Sequence, residues 1–377
     1  MILIKNMLFI NPNARSNQNI PNIGLAYVAT HFNAKVIDLN TMPEPADRFL
    51  IHEEQVLGIS IQSRTFSEAQ KIAALYKEKY PKSQVKSVSG FLDVLCCYPY
   101  LDFEEKIEYK EPFSDSYPFP NYELFDSFRV FQKNWQKGEW AYAIMTSYGC
   151  PYQCVHCASK NRKWLPRSPE NCYEELKQAK EKWKIKYFLI IDDCFNVDKE
   201  RVFVFCRFAG KLNLKWSCTN GLRADRFDEE MALAMKKSGC WQISFGIESV
   251  DETVLKTIKK EESFEEIQKA VEIAKKYYPA ENINGFFIIG LPGSDFEKDL
   301  KSIEWVKNEG IHAHFNFYVP FDKNMHYDKL FYGEHAVPLS DVYPRELQKK
   351  IYNMSLEFRK FRKQGVIKTA IRNLFLK

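Results

Sequence analysis

Short apolar runs alternate with amphipathic stretches through the first hundred residues of this 377-residue chain. Four apolar runs have the length of buried strands, and two longer stretches repeat their apolar residues with the period of a helix. The strands are predicted at 7–10, 35–38, 56–61 and 84–88, and the helices at 23–32 and 67–80. Strands that alternate with helices predict a parallel, doubly wound sheet.

A stretch rich in proline and aromatic residues, 109–139, separates this region from a second one. Because prolines break helices and central strands, we expect an ordered strap that buries its aromatic rings. Beyond it, strands are predicted at 141–146, 186–191, 214–218, 241–247, 283–289 and 313–320. Helices are predicted at 169–183, 199–212, 228–238, 252–258, 264–278 and 295–308. Six strand–helix units predict a partial barrel whose site lies at the carboxyl ends of its strands.

The cysteine content and the first residues limit where the protein works. The chain has ten cysteines, begins without a signal-peptide layout and contains no apolar run approaching the length of a membrane-spanning helix. We therefore expect a cytoplasmic protein without a membrane span, whose cysteines are buried thiols or cofactor ligands.

The net charge of +5 is concentrated at the end of the chain, where residues 344–377 carry ten Lys and Arg against two Glu. Apolar residues recur at four-three spacing from Leu347 to Phe361, which predicts a packed helix with a solvated basic face. A nucleic-acid or membrane contact is the alternative. We favour the packed helix and do not expect nucleic-acid binding.

Three cysteines carry the strongest chemical signal. Cys150, Cys154 and Cys157 have the spacing Cys-x3-Cys-x2-Cys, and no fourth cysteine lies nearby. A cubane iron–sulfur cluster takes four thiolates, so three of them leave one iron open to an outside ligand. A structural zinc site would need a fourth protein ligand, and a disulfide framework would need a dispersed, even set in a secreted chain. The run therefore predicts a [4Fe–4S] cluster with one open iron.

This run resembles the signature of the radical SAM superfamily, in which the methionine part of S-adenosylmethionine (SAM) chelates the open iron. The later strand ends resemble further motifs of that superfamily, in the same order. The resemblance implies that SAM is contacted by His156, Asp192, Asp193, Arg223, by Glu248 and Ser249 of a Gly-Ile-Glu-Ser segment, and by Ile288 and Gly290 beside the adenine. Helix capping by one aspartate and a surface ion pair of Arg223 are the structural alternatives.

Seven cysteines lie outside the motif, and most fall in predicted helices or strands, where a small buried hydrophobe is the expected role. Cys194 and Cys218 are predicted at strand ends facing the site, where either could return a hydrogen atom to a substrate radical. His312 and His314 share one face of the last strand by period two. That spacing favours a core or substrate-lining role over a metal site.

The order of segments is similar to that of radical SAM enzymes with an N-terminal cobalamin-binding-type domain. Residues 23–29, Ile-Gly-Leu-Ala-Tyr-Val-Ala, resemble a helix of that domain, and residues 57–65 resemble its third strand and turn. Relatives continue with a Gly-Gly-Pro-His-type turn and a Gly-Glu-Gly-Glu-type segment. Here Ser-Val-Ser-Gly-Phe (87–91) stands at the first position and the second segment is absent. The domain is therefore expected to be trimmed, and cobalamin binding is left open.

Together these patterns predict an α/β protein in four parts: a trimmed, doubly wound Rossmann-like domain (1–108), a connector (109–139), a partial (β/α)6 radical SAM barrel (140–325) and a basic helical tail (326–377). The resemblance implies reductive cleavage of SAM to a 5′-deoxyadenosyl radical, which attacks an unactivated carbon of a small-molecule or peptide substrate. It also implies an electron donor such as flavodoxin or ferredoxin.

Two kinds of reaction follow from the cobalamin question. With cobalamin the expected outcome is methyl transfer, and without it epimerisation, rearrangement or bond formation. A non-catalytic binding protein and an electron-transfer ferredoxin are the other interpretations. The three intact cysteines speak against the first of these, and the missing fourth cysteine speaks against the second.

Overall fold

A computed structural model describes residues 7–13, 20–41, 47–61, 65–88, 106–107, 112–157 and 159–318. Within these ranges the chain forms two parallel sheets flanked by helices. The predicted basic tail, residues 326–377, lies outside the described residues. No helix in the described ranges has the length and apolar character needed to cross a membrane.

The first sheet confirms the doubly wound arrangement that the sequence predicts. Its strands are β1 (Met7–Asn11), β2 (Lys35–Asp38), β3 (Val56–Ser60), β4 (Gln84–Val88) and the unpredicted β5 (Lys106–Ile107). All pair in parallel, in the order β2-β1-β3-β4-β5. The helices are α1 (Ile23–Phe32) and α2 (Phe66–Lys79). The strand order reverses between β1 and β3, and such a reversal opens a crevice at the carboxyl ends of the strands.

The connector contains a helix that its prolines did not lead us to predict. Helix α3 spans Phe128–Lys137, after the last proline of the connector, Pro120. Its Phe131 and Trp135 are buried completely in a cluster of aromatic rings that includes Tyr122. The connector is therefore an ordered strap, as predicted, whose second half is helical because no proline interrupts it.

The second sheet confirms the predicted partial barrel. Its six parallel strands are β6 (Tyr142–Ile144), β9 (Tyr187–Ile190), β10 (Lys215–Cys218), β11 (Cys240–Glu248), β12 (Ile283–Ile289) and β13 (His312–Phe317). Its helices are α4 (Pro169–Trp183), α5 (Lys199–Leu212), α6 (Glu229–Lys237), α7 (Glu252–Thr257), α8 (Phe264–Tyr277) and α9 (Phe296–Glu309). Strands β6 and β13 are its two edges, so the barrel is open over the part of the chain that the structure describes. A short antiparallel pair, β7 (Ser147–Tyr148) with β8 (Leu165–Pro166), was not predicted.

Helix α1 of the first region packs on the first strand of the barrel. Tyr27 lies in an apolar cluster with Phe113 of the connector and with Met145, which follows β6. Its hydroxyl accepts a hydrogen bond from Arg167, whose guanidinium forms a fully buried ion pair with Glu175 at 2.6 Å. Breaking one side of a buried ion pair leaves an uncompensated charge. The contacts of Tyr27 with Met145 and Arg167 therefore hold helix α1 against the barrel.

Candidate active site

The three cysteines lie in the loop that leaves β6, at the carboxyl end of the barrel. Cys150, Cys154 and Cys157 are all partly exposed and unpaired. Gly149 precedes them with a φ of +83°, and a Cβ there would stand 2.3 Å from the carbonyl oxygen of Lys163. Glycine is required at this point because the loop folds back onto its own exit. The thiols are thus held together on one compact loop.

The two adjacent aspartates after β9 accept hydrogen bonds from the residues that begin and end this loop. Asp192 is buried and accepts hydrogen bonds from the backbone and hydroxyl of Thr146 and from the hydroxyl of Ser147. Asp193 accepts from the Gly149 N–H at 3.0 Å and from the Ser159 hydroxyl at 2.7 Å. Asp192 therefore fixes the start of the loop. Asp193 connects Gly149, before the first cysteine, with Ser159, after the last one. Asp192 and Asp193, both predicted to contact SAM, therefore bind the cysteine loop in this structure.

The spatial arrangement of the three thiols suits a cluster better than a single zinc ion. A hydrogen bond from Cys194 lowers the pKa of Cys150 to about 7, whereas burial raises the pKa of Cys154 to about 11. In the described part of the chain, no three His, Cys, Asp or Glu side chains are arranged around one metal ion. Zinc needs its ligands at about 2.0–2.3 Å from one centre, whereas in a cluster each thiolate binds a different iron atom, so the thiols need not converge on one point. The donor set and its spacing fit the cluster.

Glu248 reaches the site through a distortion at the end of β11. The register between β11 and β12 shifts at Gly246–Glu248, and Glu248 has a φ of +67°, which is rare for a residue other than glycine. A bulge of this kind re-aims a side chain. The Glu248 carboxylate lies 4.0 Å from His156 Nε2, next to the cysteine loop. Burial raises the pKa of Glu248 above its ordinary value.

Lys260 belongs to the site but was not predicted. Its ammonium is buried, 3.0 Å from Glu262 and 4.0 Å from Glu248. Burial alone would lower the pKa of Lys260, but the two glutamates outweigh it and raise that pKa. In sequence the run Lys259–Glu262 has the composition of a solvated, charged turn. Only the tertiary structure shows that Lys260 is buried with these two glutamates, where its charge acts on Cys154 of the loop.

Arg223 lies beside the loop with most of its donors in use. Its guanidinium donates to the carbonyl oxygens of Lys260 and Glu261 at 3.1 and 2.7 Å and to Asp225 at 2.8 Å. It also stacks on the Tyr152 ring, with Cζ 3.5 Å from the centroid. Arg223 is thus buried as a tie between the cysteine loop and the segment that carries Lys260. The predicted contact with the methionine carboxylate stays a prediction.

The remaining predicted SAM contacts lie at the ends of β11 and β12. Ser249 is buried, and its hydroxyl accepts from the Asp251 N–H. Ile288 is partly exposed, next to Asn316 of β13. Gly290 has a φ of +76°, and its N–H donates to Asp299 at 2.9 Å. The structure therefore brings these residues to the same end of the barrel as the cysteines.

The two predicted hydrogen donors occupy different environments. Cys194 lies against Cys150, close enough to lower its pKa. Cys218 lies in the apolar core between sheet and helices, together with Cys206 and Cys240. Trp216, which shares its face of β10 by the two-residue period, belongs to that core as well. The expectation that Cys218 faces the site is therefore not met, because strand alternation turns it toward the helices.

His312 and His314 follow the predicted pattern of a shared face. They pair in register with Asn284 and Phe286 of β12. The alternate residues of β12, Gly285 and Phe287, face the helices, as shown by Phe287 in the core cluster. The two histidines therefore line the inner side of the barrel.

Two buried polar atoms at the cysteine loop have no hydrogen-bond partner among the described residues: Tyr152 Oη and His156 Nδ1. Burial, with a smaller effect from Lys260, lowers the pKa of His156 to about 4. Its imidazole is therefore neutral near pH 7 and has one ring nitrogen to spare. Buried polar atoms are almost always paired, so this edge of the barrel has two hydrogen-bonding atoms that the described residues do not pair.

The carboxyl edge of the first sheet is organised differently. Asn11 donates to Asp38 at 2.9 Å, and Asn22 donates to Asn11 and to Ser60, both at 3.2 Å. Asp38 is buried and also accepts from Thr41. These side chains come from the ends of all three strands at the crevice and from the cap of α1. They satisfy one another.

Comparison with known proteins finds a family and relatives for the barrel region. Residues 144–306 match the family model described as the radical SAM superfamily. An uncharacterized methyltransferase of Pyrococcus horikoshii is 32% identical over 211 residues, which are 55% of this chain and 45% of that protein. Cytidylyl-2-hydroxyethylphosphonate methyltransferase of Streptomyces wedmorensis is 28% identical over 212 residues, 52% of this chain and 39% of that protein. The matched part of the chain thus spans less than half the length of these curated relatives.

Two solved structures share the fold over most of the chain. The radical SAM methyltransferase TsrM of Kitasatospora setae, with tryptophan and a SAM analogue bound, has a TM-score of 0.68 at 14% identity. The alignment covers 84% of this chain and 74% of TsrM. The cobalamin-dependent radical enzyme OxsB, with aqua-cobalamin bound, has a TM-score of 0.65 at 16% identity and covers 92% and 57% of the two chains. At these identities the likeness establishes the fold alone.

Proposed function

Over residues 144–306 the chain belongs to the radical SAM superfamily, and from this premise we propose that it is an enzyme that cleaves SAM reductively. Family membership implies a [4Fe–4S] cluster and SAM. Cys150, Cys154 and Cys157 would hold the cluster, since these three thiols share one loop at the carboxyl end of the barrel. That gathering of three thiols beside buried, unpaired polar atoms is the observation that carries the proposal.

When bound, such a cluster would supply the electron for the reductive cleavage of SAM to methionine and a 5′-deoxyadenosyl radical. Around it the chain would bind and orient SAM. The buried Glu248 carboxylate can accept hydrogen bonds from ribose hydroxyls, and the Lys260 ammonium can attract an anionic group of the methionine part. Asp193 and Arg223 would keep the cysteine loop in place. A small-molecule or peptide substrate and an electron donor such as flavodoxin or ferredoxin complete the reaction.

The reaction we favour is methyl transfer to an unactivated carbon, with cobalamin as the methyl carrier. Two of the relatives that the chain resembles are named methyltransferases. The first sheet has the strand order in which ligands bind at the crevice between β1 and β3. Asn11, Asn22 and Ser60 at that crevice are the polar side chains that could meet a cobalamin there.

One observation favours a second candidate, a radical reaction without cobalamin. The same three side chains are already hydrogen-bonded: Asn22 donates to Asn11 and Ser60, and Asn11 donates to Asp38. A ligand would have to replace these hydrogen bonds rather than complete them. The products in this case would be those of epimerisation, rearrangement or bond formation, with Cys194 as a donor of the returning hydrogen atom.

One anaerobic incubation separates the two candidates. The reconstituted protein is given SAM, dithionite and hydroxocobalamin, and the two nucleoside products are quantified with the bound corrinoid. Methyl transfer is expected to yield both 5′-deoxyadenosine and S-adenosylhomocysteine, with corrinoid retained on the protein. 5′-Deoxyadenosine alone, without bound corrinoid, contradicts the methyltransferase proposal and favours the second candidate.

A further inference from the structure

We propose that the outer face of the cysteine loop is the docking surface for a small acidic electron-transfer protein. The proposal rests on the proposed function, because reductive cleavage of SAM needs one electron from outside the chain. The surface is formed by basic residues around the loop, which we call the basic collar: Lys160, Arg162, Lys163, Arg226 and Lys259.

One side of the collar is held against the loop by its exit segment. The Asn161 N–H donates to the carbonyl oxygen of Tyr152 at 3.1 Å, which places residues 160–163 alongside the cysteines. Arg226 lies over the same residue, with Cζ 5.9 Å from the centroid of the Tyr152 ring. Two separate chain segments thus bring their cations to one flank of the loop.

The other side of the collar comes from the turn after α7. The Val155 N–H, in the middle of the cysteine loop, donates to the carbonyl oxygen of Ile258 at 2.9 Å. Lys259 follows directly and is exposed, whereas Lys260 turns inward. The cations therefore surround the loop instead of forming one run of sequence, which distinguishes the collar from an ordinary charged helix face.

The collar carries a clear excess of positive charge. Lys160, Lys163 and Lys259 are exposed and have no carboxylate within ion-pair distance among the residues that the structure describes. The acidic side chains next to collar members are the exposed Glu261 and Asp225. Asp225 pairs with Arg223 at 2.8 Å and with Arg226 of the collar at 4.0 Å, which leaves the three lysines as the source of the excess charge. An excess of one sign attracts a partner of the opposite sign and speeds its association.

The position of the collar suits electron transfer, whose rate falls steeply with distance. Pro151 and Gln153 at the tip of the loop are exposed, and the three thiols are partly exposed beside them. A protein seated on the collar would bring its redox group next to the thiols that hold the iron. It would give up one electron and be oxidised by one equivalent, and the cluster site would accept that electron.

The test measures binding and electron delivery separately. Oxidised flavodoxin, an acidic carrier, is titrated against the cluster-loaded full chain by calorimetry, at low and at high ionic strength. We expect binding that weakens with salt, and we expect Lys160→Glu with Lys163→Glu to weaken it by roughly tenfold or more. The Lys211→Glu, Lys237→Glu variant is the matched control, since these exposed lysines end α5 and α6 at the opposite end of the barrel.

A second pair, Arg226→Glu with Lys259→Glu, tests the other flank and covers the case in which the first variant loses its cluster. Both should slow 5′-deoxyadenosine formation driven by flavodoxin hydroquinone and leave the dithionite-driven rate unchanged. Unaltered flavodoxin affinity in both variants overturns the proposal, as does salt-sensitive binding of a DNA duplex without flavodoxin binding. If the parent protein makes no 5′-deoxyadenosine with dithionite, the proposed function fails, while the binding titration still decides the docking surface.

Discussion

Both parallel sheets carry polar side chains at the carboxyl ends of their strands, but the hydrogen bonding of these side chains differs between the two sheets. At the first sheet, Asn22 donates to Asn11 and to Ser60, and Asn11 donates to Asp38. At the barrel, Tyr152 Oη and His156 Nδ1 are buried without a partner among the described residues. Among the described residues, these polar side chains of the first edge are hydrogen-bonded to one another, whereas two buried polar atoms of the second edge have no hydrogen-bond partner.

This difference separates a structural edge from a binding edge. Leaving a buried polar group unsatisfied costs about 1–3 kcal/mol, so a ligand that pairs with Tyr152 Oη or His156 Nδ1 would recover that free energy. The charged groups of the barrel edge add to the contrast, because Lys260 is buried between Glu248 and Glu262 directly beside the thiols. A sheet's topology indicates where a ligand can bind, and the two unpaired atoms beside the cysteines favour the barrel edge as that place.

The largest expected effect comes from removing the thiols of the barrel edge. Replacing Cys150, Cys154 and Cys157 together by alanine should abolish iron and sulfide binding and the visible absorption of the reconstituted protein, because these three thiolates are the proposed iron ligands. Cys206→Ala with Cys240→Ala is the matched control, since both thiols are buried in the core. A triple variant that keeps its visible absorption would contradict the cluster assignment.

A smaller effect is expected at Glu248. Glu248→Ala should weaken SAM binding by roughly tenfold or more, because a lost hydrogen bond to a charged group costs about 1.5–3 kcal/mol. Asn22→Ala, at the other edge, should leave SAM affinity unchanged. Equal SAM dissociation constants for the parent and Glu248→Ala, measured anaerobically by calorimetry, would remove Glu248 from the SAM site.

The same residue predicts a pH dependence. Burial raises the pKa of Glu248 above the ordinary value of 4.5, and only the ionised carboxylate is a full acceptor for ribose hydroxyls. SAM affinity should therefore fall as the pH decreases, starting at a higher pH than for an ordinary glutamate. The Glu248→Gln variant cannot ionise and should show a flatter profile. Parallel profiles for the two proteins would mean that another group titrates.

The smallest effect is expected at Asp193, which touches the loop and not the thiols. Asp193→Ala should release iron to a chelator several-fold faster than the parent, because the loop loses two of its hydrogen bonds while all three thiols stay in place. Asp193→Asn should be intermediate, since it keeps an acceptor. If instead both variants hold iron normally and lose SAM affinity, Asp193 is a SAM ligand and not a clamp of the loop.

Much of the fold followed from periodicity, because apolar spacing depends only on which face of an element is buried. The strands and helices of both sheets lie within a few residues of their predicted bounds. Strand β5 and the pair of strands β7 and β8 were missed because strands of two residues have no period to detect. Helix α3 was missed because the prolines before it dominated the interpretation of the connector.

At the site, the sequence by itself determined the chemistry that depends on spacing along the chain. The cysteine triad needs three thiols within one loop, and the order of motifs places Glu248 and Gly290 at successive strand ends. Only the tertiary structure decided which side chains turn inward. Cys218 faces the core and Lys260 faces the thiols, because strand alternation and a buried ion pair, rather than residue type, set their directions.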